Sequence, residues 1–271
     1  LQFSLPLFCS NLLQQVYNLT DTALAGHLLG SAALAEIGAT AALYGLIMNF
    51  AFGMNNGLAL TVSRCFGAGE REGIRRAVGW MVTLSAAVSI VLTTVSLLGR
   101  GALLQVLQVP AEVWDGAAAY LTVILLGIPL TMLYNMEAAL LRAVGNSVTP
   151  LLFLLFSSVL NVGLDAAFMG PLGMGVRGAA VATVLAQGIS AVLGAVYLVR
   201  SYPELHFTLA HLKKSARRAV MNMFWAGMSM GLMSAIYNLG SVALQSSINA
   251  LGSVYITAQT AARRMAEMYF I

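Results

Sequence analysis

The chain has 271 residues, of which 59% are hydrophobic and 9% are charged, and its formal net charge is +4. Soluble domains carry about 25% charged residues, so this chain is too poor in charge to cover a surface that faces water on all sides. The composition therefore excludes a soluble enzyme, a nucleic-acid-binding protein and a disordered protein. Two cysteines in apolar surroundings, Cys9 and Cys65, indicate neither a disulfide framework nor a metal centre, and no cofactor is expected.

Apolar runs long enough to cross a membrane follow one another along the chain. A membrane helix needs about 20 apolar residues, and runs of that length without Asp, Glu, Lys or Arg cover residues 39–63, 77–99, 116–136 and 178–199. Residues 1–35 contain one charged residue, Asp21, and the stretch between Arg142 and Arg177 also contains one, Asp165. The sequence therefore predicts six spans up to Arg200.

The rest of the chain restarts the same pattern. Residues 201–218 form the only long polar stretch, and residues 219–262 are again free of Asp, Glu, Lys and Arg. We predict a six-helix lobe (1–200), a cytoplasmic linker (201–218) and the first helices of a second lobe (219–271), with a turn near 249–253. Because the last of these helices is cut short, the chain is expected to be a fragment. No segment alternates as the strands of a membrane barrel do, so the predicted fold class is an all-α polytopic membrane bundle.

Basic residues are distributed unevenly between the two sides of the predicted membrane. Connectors after the second, fourth and sixth spans hold ten Lys and Arg, whereas those after the first, third and fifth hold Arg100 and Arg177. By the positive-inside rule, this bias places the even connectors and the N-terminus in the cytoplasm. The sequence therefore predicts a multi-pass protein of the plasma (inner) membrane.

A weak internal repeat links the first and seventh spans. Residues 16–42 align without a gap on residues 236–262, with eight identities in 27 positions, among them Tyr17-Asn18-Leu19 on Tyr237-Asn238-Leu239. Six spans separate the copies, so both copies cross the membrane in the same direction. Parallel repeats of this kind occur in transporters built from two like halves with a site between them.

Polar residues at membrane depth point to a site. The carboxylates Asp21 and Asp165 lie well inside apolar runs, where a charge costs about 2.5–3.5 kcal/mol on insertion scales. Counting from the predicted span ends places Asp21, Asp165 and Thr183 in one layer of the outer half, and Asn161 lies one turn from Asp165 on the same helix face. These four residues are the predicted cation- or proton-coupling site. The alternative is a structural polar network that joins the helices.

Weaker candidates for the lining of a substrate cavity are Tyr17, Asn18, Gln187 and Glu137. Asn18 lies three residues before Asp21, and Gln187 lies four residues after Thr183, so both face the same layer. For Glu137, near the inner end of the fourth span, a helix end with an ion pair to Arg142 is the competing interpretation. Gly53 and Gly57 form a small-xxx-small pair, which indicates close helix packing.

Four segments resemble the multidrug and toxic compound extrusion (MATE) transporters, and most of all their prokaryotic DinF-like branch. They are YNLTDTALAGHLLGSAALAEIG (17–38), LRAVGNSVTP (141–150), LNVGLD (160–165) and GVRGAAVATVLAQ (175–187). The resemblance implies twelve helices in two lobes around a central cavity. It also implies a monomer that exports small cationic, amphipathic compounds in exchange for H⁺ or Na⁺.

In the DinF-like branch the cation-linked residues lie in the N-terminal lobe, and the resemblance carries them onto Asp21, Asn161, Asp165 and Thr183. In a proton-driven pump the two carboxylates would share a proton; in a sodium-driven pump the same four residues would supply oxygen ligands. Two other functions stay open. A lipid-linked oligosaccharide flippase of the same superfamily would be expected to line its cavity with basic residues, and no complete span holds Lys or Arg. A non-transporting membrane scaffold would tolerate loss of the two carboxylates.

Overall fold

The computed structural model describes residues 4–213 and 216–267, and this part of the chain is helical without a strand. In chain order the helices are α1 (Ser4–Leu29), α2 (Ser31–Gly67), α3 (Arg71–Leu98), α4 (Arg100–Val106), α5 (Trp114–Ala143), α6 (Val148–Met169), α7 (Val176–Ser201), α8 (Leu209–Lys213), α9 (Arg217–Asn249) and α10 (Ser253–Glu267). The predicted all-α fold class is confirmed. Residues 214–215 of the predicted linker and residues 268–271 of the predicted second lobe lie outside the described residues.

Six helical segments in the described residues are long and apolar enough to cross a membrane. They are α2, α3, α6, α7, α9 and the segment Ala111–Ala143, which joins a short 3-10 turn to α5. The predicted first span corresponds to α1, which has 26 residues but is not one of these six. Its apolar sequence is interrupted by Asn, Gln, Thr and Asp side chains. It packs against α2, α6, α7 and α10, so it belongs to the bundle.

The turn between α1 and α2 depends on a glycine. Gly30, with φ +83°, is the single residue between α1 and α2. Helix α2 therefore begins almost directly after α1: His27 lies in the last turn of α1, and Glu36 lies in α2 with its carboxylate against Gly116. Glycine is favoured at position 30 because a side chain disfavours positive φ.

The turn between α5 and α6 is closed by side-chain hydrogen bonds. Gly145, with φ +86°, ends α5, and the Asn146 side-chain oxygen accepts the Thr149 backbone N–H at 3.0 Å. The Asn146 amide in turn donates to the Tyr202 hydroxyl at 2.9 Å, which ties the turn to the end of α7. The LRAVGNSVTP segment therefore fixes the start of α6, the helix that presents Asn161 and Asp165.

The predicted linker packs partly against the bundle. It contains a 3-10 turn, Pro203–Leu205, and the short α8. The side chains of Phe207 and Leu212 lie against Gly79 of α3, and the His211 Nε2 atom lies 3.5 Å from a carboxylate oxygen of Glu72. The linker residue His211 therefore contacts α3.

Helix α9, which carries the seventh predicted span, packs along α2 through glycines on both helices. A Cβ on Gly57 would lie 2.5 Å from the Ala226 carbonyl oxygen and 2.7 Å from the Gly227 Cα. Gly231, one turn beyond Gly227, lies in the same way against Phe50 of α2. The close packing predicted from Gly53 and Gly57 is confirmed, and its partner is a second small-xxx-small pair on α9.

At the other end of α9, the buried side chain of Asn249 forms hydrogen bonds with two neighbouring segments. The side-chain nitrogen of Asn249 donates to the carbonyl oxygens of Ala39, at 3.0 Å, and Leu107, at 2.7 Å, and its oxygen accepts from the Gln245 side chain at 2.9 Å. Asn249 is 1% exposed. The end of α9 is therefore anchored by buried hydrogen bonds.

We expect Asn249→Ala to lower the free energy of unfolding by about 1–2 kcal/mol, because two buried carbonyl oxygens lose their donor. The measurement is thermal unfolding of the purified protein in detergent. Ser247→Ala is the matched control, because Ser247 is exposed and its hydroxyl donates only to Ala243 of the same helix. Equal melting temperatures for the two variants would contradict the prediction.

Candidate functional site

Two carboxylates from different helices meet where α1 packs against α6 and α7. Asp165, on α6, is 0% exposed, and its carboxyl group lies beside the half-buried carboxyl of Asp21 on α1 and the amide of Asn161. Asn161 and Asp165 share a face because they are four residues apart on a helix. The structure therefore brings together two acids that lie far apart in the sequence.

Thr183 and Tyr17 complete this cluster. The Asn161 side-chain nitrogen donates to the Thr183 hydroxyl at 3.4 Å, and that hydroxyl donates to the Ala179 carbonyl at 3.0 Å. The Tyr17 hydroxyl, on α1, lies beside Thr183 and close to both carboxylates. Five sequence-predicted residues thus lie together, and we call them the carboxylate cluster: Tyr17, Asp21, Asn161, Asp165 and Thr183.

Helix α2 also reaches the carboxylate cluster. Tyr44 lies beside Tyr17, and the sequence alone did not indicate this contact. No spacing rule links Tyr44 to Tyr17, because the two residues belong to different helices.

One polar atom of the carboxylate cluster is buried without a hydrogen-bond partner among the described residues. It is the side-chain oxygen of Asn161, whereas the Asp165 carboxyl interacts with the Asp21 carboxyl and the Asn161 side chain. An unsatisfied buried polar group costs about 1–3 kcal/mol, and more when it is charged. Carboxylate oxygens can accept a proton, and carboxylate and amide oxygens can coordinate a hard cation such as Na⁺. The cluster is therefore chemically suited to take up one positive charge.

Two of the weaker candidates lie near the carboxylate cluster but have other partners. Asn18 accepts a hydrogen bond from Gln14, one turn earlier on α1, at 3.3 Å. Gln187 accepts a short hydrogen bond from the hydroxyl of Thr131 on α5. Gln187 therefore joins α7 to α5, one turn along α7 from Thr183.

Glu137 is buried and has no ion pair in the described part of the chain. It is 4% exposed, whereas the guanidinium of Arg142 donates to Asn56 at 3.2 Å and lies 5.6 Å from the centre of the Phe52 ring. The ion-paired interpretation of Glu137 is therefore wrong. The physical reason is their spacing, since residues five apart on a helix do not face each other as residues three or four apart do.

The sequence pattern did not indicate Asn55, a buried polar residue of α2. Asn55 is 0% exposed; its side-chain nitrogen donates to the carbonyls of Ala51, at 3.0 Å, and Met132, at 3.4 Å, and its oxygen accepts from Ser85 at 2.9 Å. These bonds join α2, α3 and α5. The sequence pattern indicated only the flanking glycines of GMNNG, because an amide in an apolar run does not reveal its partners.

Comparisons with known proteins agree with this architecture. The sequence model of the MatE family matches residues 6–167. "Probable multidrug resistance protein YpnP" of Bacillus subtilis is 28% identical over 263 residues, which cover 97% of this chain and 58% of that protein. "Probable multidrug resistance protein NorM" of Thermotoga maritima is 28% identical over 228 residues, which cover 82% of this chain and 49% of that protein.

A solved structure is similar as well. The inward-facing conformation of a multidrug resistance MATE family transporter of the MOP superfamily superposes with a TM-score of 0.82 at 26% identity, over 93% of this chain and 57% of that one. This chain spans about half the length of the curated relatives it matches. The matched family segment covers α1 to α5 and most of α6, with Asp21, Asn161 and Asp165 inside it. By this match the chain belongs to the MatE family, the family of the MATE transporters.

Proposed function

We propose that this protein is a secondary active transporter that exports cationic, amphipathic compounds by H⁺ or Na⁺ antiport through alternating access. The observation that carries the proposal is the carboxylate cluster, in which the fully buried Asp165 carboxyl lies beside the carboxyl of Asp21 and the side chain of Asn161. A structural network would be built more cheaply from neutral residues, since a charge at membrane depth is expensive. The names of the relatives, multidrug resistance proteins, support the export of drugs.

In the proposed cycle the carboxylate cluster changes charge between the two faces of the membrane. With the cluster open to the outside, a proton taken up by the Asp21–Asp165 pair neutralises it, favours closure and releases the exported cation. On the cytoplasmic side the pair loses the proton and the next cation binds. Each proton that moves inward contributes about 2.3 kcal/mol per 100 mV of membrane potential. With Na⁺ as the driving ion, oxygen atoms of Asp21, Asn161, Asp165 and Thr183 would replace part of its hydration shell.

The bias of basic residues supports an N-terminus in the cytoplasm and residence in the plasma (inner) membrane as part of this proposal. Its partners would be the lipid bilayer and small cationic substrates, and it would act as a monomer. In this proposal, residues 1–200 form the first lobe, residues 201–218 form the linker, and residues 219–271 form the start of the second lobe. We expect the exported compound to bind between the lobes, as in other transporters built from parallel repeats.

The test is a flux assay with the protein expressed from its gene in everted membrane vesicles. A panel of cationic dyes is added under an imposed pH gradient, and dye-induced release of protons is recorded with and without Na⁺. Release of protons without Na⁺ is expected for a proton antiporter, and release of Na⁺ itself for a sodium antiporter. Vesicles that contain folded protein but release neither ion with any dye would contradict the proposal.

A further inference from the structure

A small pocket lies between α5, α6 and α7, away from the carboxylate cluster. Its volume is about 10 Å³, and it is lined by Tyr134, Glu137, Ala138, Leu141, Pro150, Phe153 and Ser190. A cavity needs about 10–15 Å³ to hold one water molecule. This pocket is therefore just large enough for one water molecule or small ion and too small for an amphipathic substrate.

Two oxygen-bearing side chains in this pocket lack partners. Glu137 is 4% exposed and Ser190 is 1% exposed. Neither Oε1 of Glu137 nor the hydroxyl oxygen of Ser190 has a hydrogen-bond partner in the part of the chain that the structure describes. Leaving both of these buried oxygens unsatisfied is energetically unfavourable. A ligand that both oxygens can contact removes that cost.

The backbone of α7 makes room for the Glu137 carboxylate. Its second oxygen, Oε2, lies against Gly194, where any Cβ would collide with it. Ser190 lies one turn before Gly194, so both residues present the same face of α7 to Glu137. Helix α7 therefore lies against the carboxylate at Gly194 and places the Ser190 hydroxyl on the same side of the helix.

The same face of α7 leads to the carboxylate cluster. Thr183, Gln187 and Ser190 are separated by four and three residues, so their side chains follow one stripe, and Thr183 and Ser190 lie about 10 Å apart along the helix axis. Thr183 is hydrogen-bonded to Asn161 in the cluster, and Gln187 is hydrogen-bonded to Thr131 between the two sites. Polar side chains therefore lie along this face of α7 between the carboxylate cluster and Ser190.

We propose that Glu137 and Ser190 form a second binding site for a monovalent cation, a proton or a sodium ion, which exchanges with the carboxylate cluster along this face of α7. A carboxylate and a hydroxyl are oxygen donors for a hard cation, and a carboxylate alone holds a proton. The inference rests on the proposed antiport for its role in transport. The binding site itself is testable without transport.

The first experiment measures binding of radioactive sodium to the purified protein as a function of sodium concentration and pH. The variants are Glu137→Gln, Ser190→Ala and Asp165→Asn, and the matched control is Glu72→Gln, which changes a carboxylate with an exposed side chain. If Na⁺ is the ligand, Glu137→Gln abolishes sodium binding at one class of sites, and Asp165→Asn keeps sodium binding at that class. Ser190→Ala weakens the same class about ten- to hundredfold, because it removes an oxygen that contacts a charge.

The second experiment detects the proton. Infrared difference spectra of wild type and variants are compared in the carbonyl-stretch region of protonated carboxyl groups. If a proton is the ligand, Glu137→Gln removes one such band that remains in Asp165→Asn and in Glu72→Gln. The two experiments therefore distinguish the two cations.

Ser190→Ala separates a ligand from a structural residue. Removing a buried hydroxyl that has no partner leaves the melting temperature unchanged or raises it, so weaker cation binding without lower stability identifies Ser190 as a ligand. The inference is overturned if Glu137→Gln and Ser190→Ala both keep wild-type sodium binding and Glu137→Gln keeps every carboxyl band. That result would not contradict antiport through Asp165. If instead Asp165→Asn retained antiport, the proposed role of the carboxylate cluster would be wrong, and the second binding site would be unaffected.

Discussion

Asp165→Asn is expected to reduce dye-driven ion exchange in everted vesicles to about a tenth to a hundredth of the wild-type rate, or below detection. Asparagine has nearly the same shape as aspartate but carries no charge, so the buried cluster would lose the group that binds the coupling cation. A hydrogen bond or contact to a charged group contributes about 1.5–3 kcal/mol, which corresponds to about 10- to 150-fold in cation affinity. The measurement is the dye-induced release of protons or Na⁺, normalised to the amount of protein in the membrane.

The matched control for this prediction is Asp115→Asn. Asp115 undergoes the same chemical change but is exposed in the first turn of α5, so its loss should leave exchange unchanged. Melting temperature is measured for both variants, because Asp165→Asn removes a buried charge and need not destabilise the fold. An Asp165→Asn protein that exports at the wild-type rate against a gradient would show that Asp165 does not couple transport to an ion.

Gly57→Ala is expected to lower the free energy of unfolding by about 3 kcal/mol, at the upper end of the range for overpacking. The added methyl would lie 2.5 Å from the Ala226 carbonyl oxygen and 2.7 Å from the Gly227 Cα, and these are backbone atoms that cannot rotate away. The helices α2 and α9 would have to separate over the stretch where their glycines meet. Thermal unfolding of the purified protein in detergent measures the effect.

Gly163→Ala supplies the control, because Gly163 lies inside α6 and a Cβ there meets nothing within 4 Å. Replacing an open helical glycine by alanine should leave stability unchanged or raise it by up to about 1 kcal/mol. The two substitutions add the same methyl group to a helix and are expected to shift the melting temperature in opposite directions. Equal shifts would indicate that α2 and α9 do not touch at Gly57.

Much of the bundle follows from apolar run length alone. The charge-free runs 39–63, 77–99, 116–136 and 178–199 fall inside α2, inside α3 with one residue beyond it, inside α5 and inside α7, because a backbone in hydrocarbon must satisfy its own hydrogen bonds and a helix does so within one segment. The carboxylate cluster was also predictable in part. Asp21 and Asp165 interrupt apolar runs, and depth along a helix is a count of residues at about 1.5 Å each.

The direction in which each side chain faces around its helix axis was harder to predict. Glu137 and Arg142 are near neighbours in the sequence, yet one enters the pocket at Ser190 and the other binds Asn56. Gln187 has the spacing of a cluster residue and instead meets Thr131. Each outcome depends on which helix packs against which face, and that is absent from the pattern of a single helix.

By itself the sequence determined the all-α class of the protein, the positions of most of its long helices, and the resemblance to the MATE transporters. The depth of Asp21, Asp165 and Thr183 in the membrane stays a prediction. These properties depend on composition and on distance along one helix, both of which can be read locally. Only the tertiary structure decided that Gly57 meets Gly227, that Asn249 joins α9 to Ala39 and Leu107, and that Glu137 shares a pocket with Ser190. Such pairs form between helices far apart in the chain, and the packing of whole helix faces selects them.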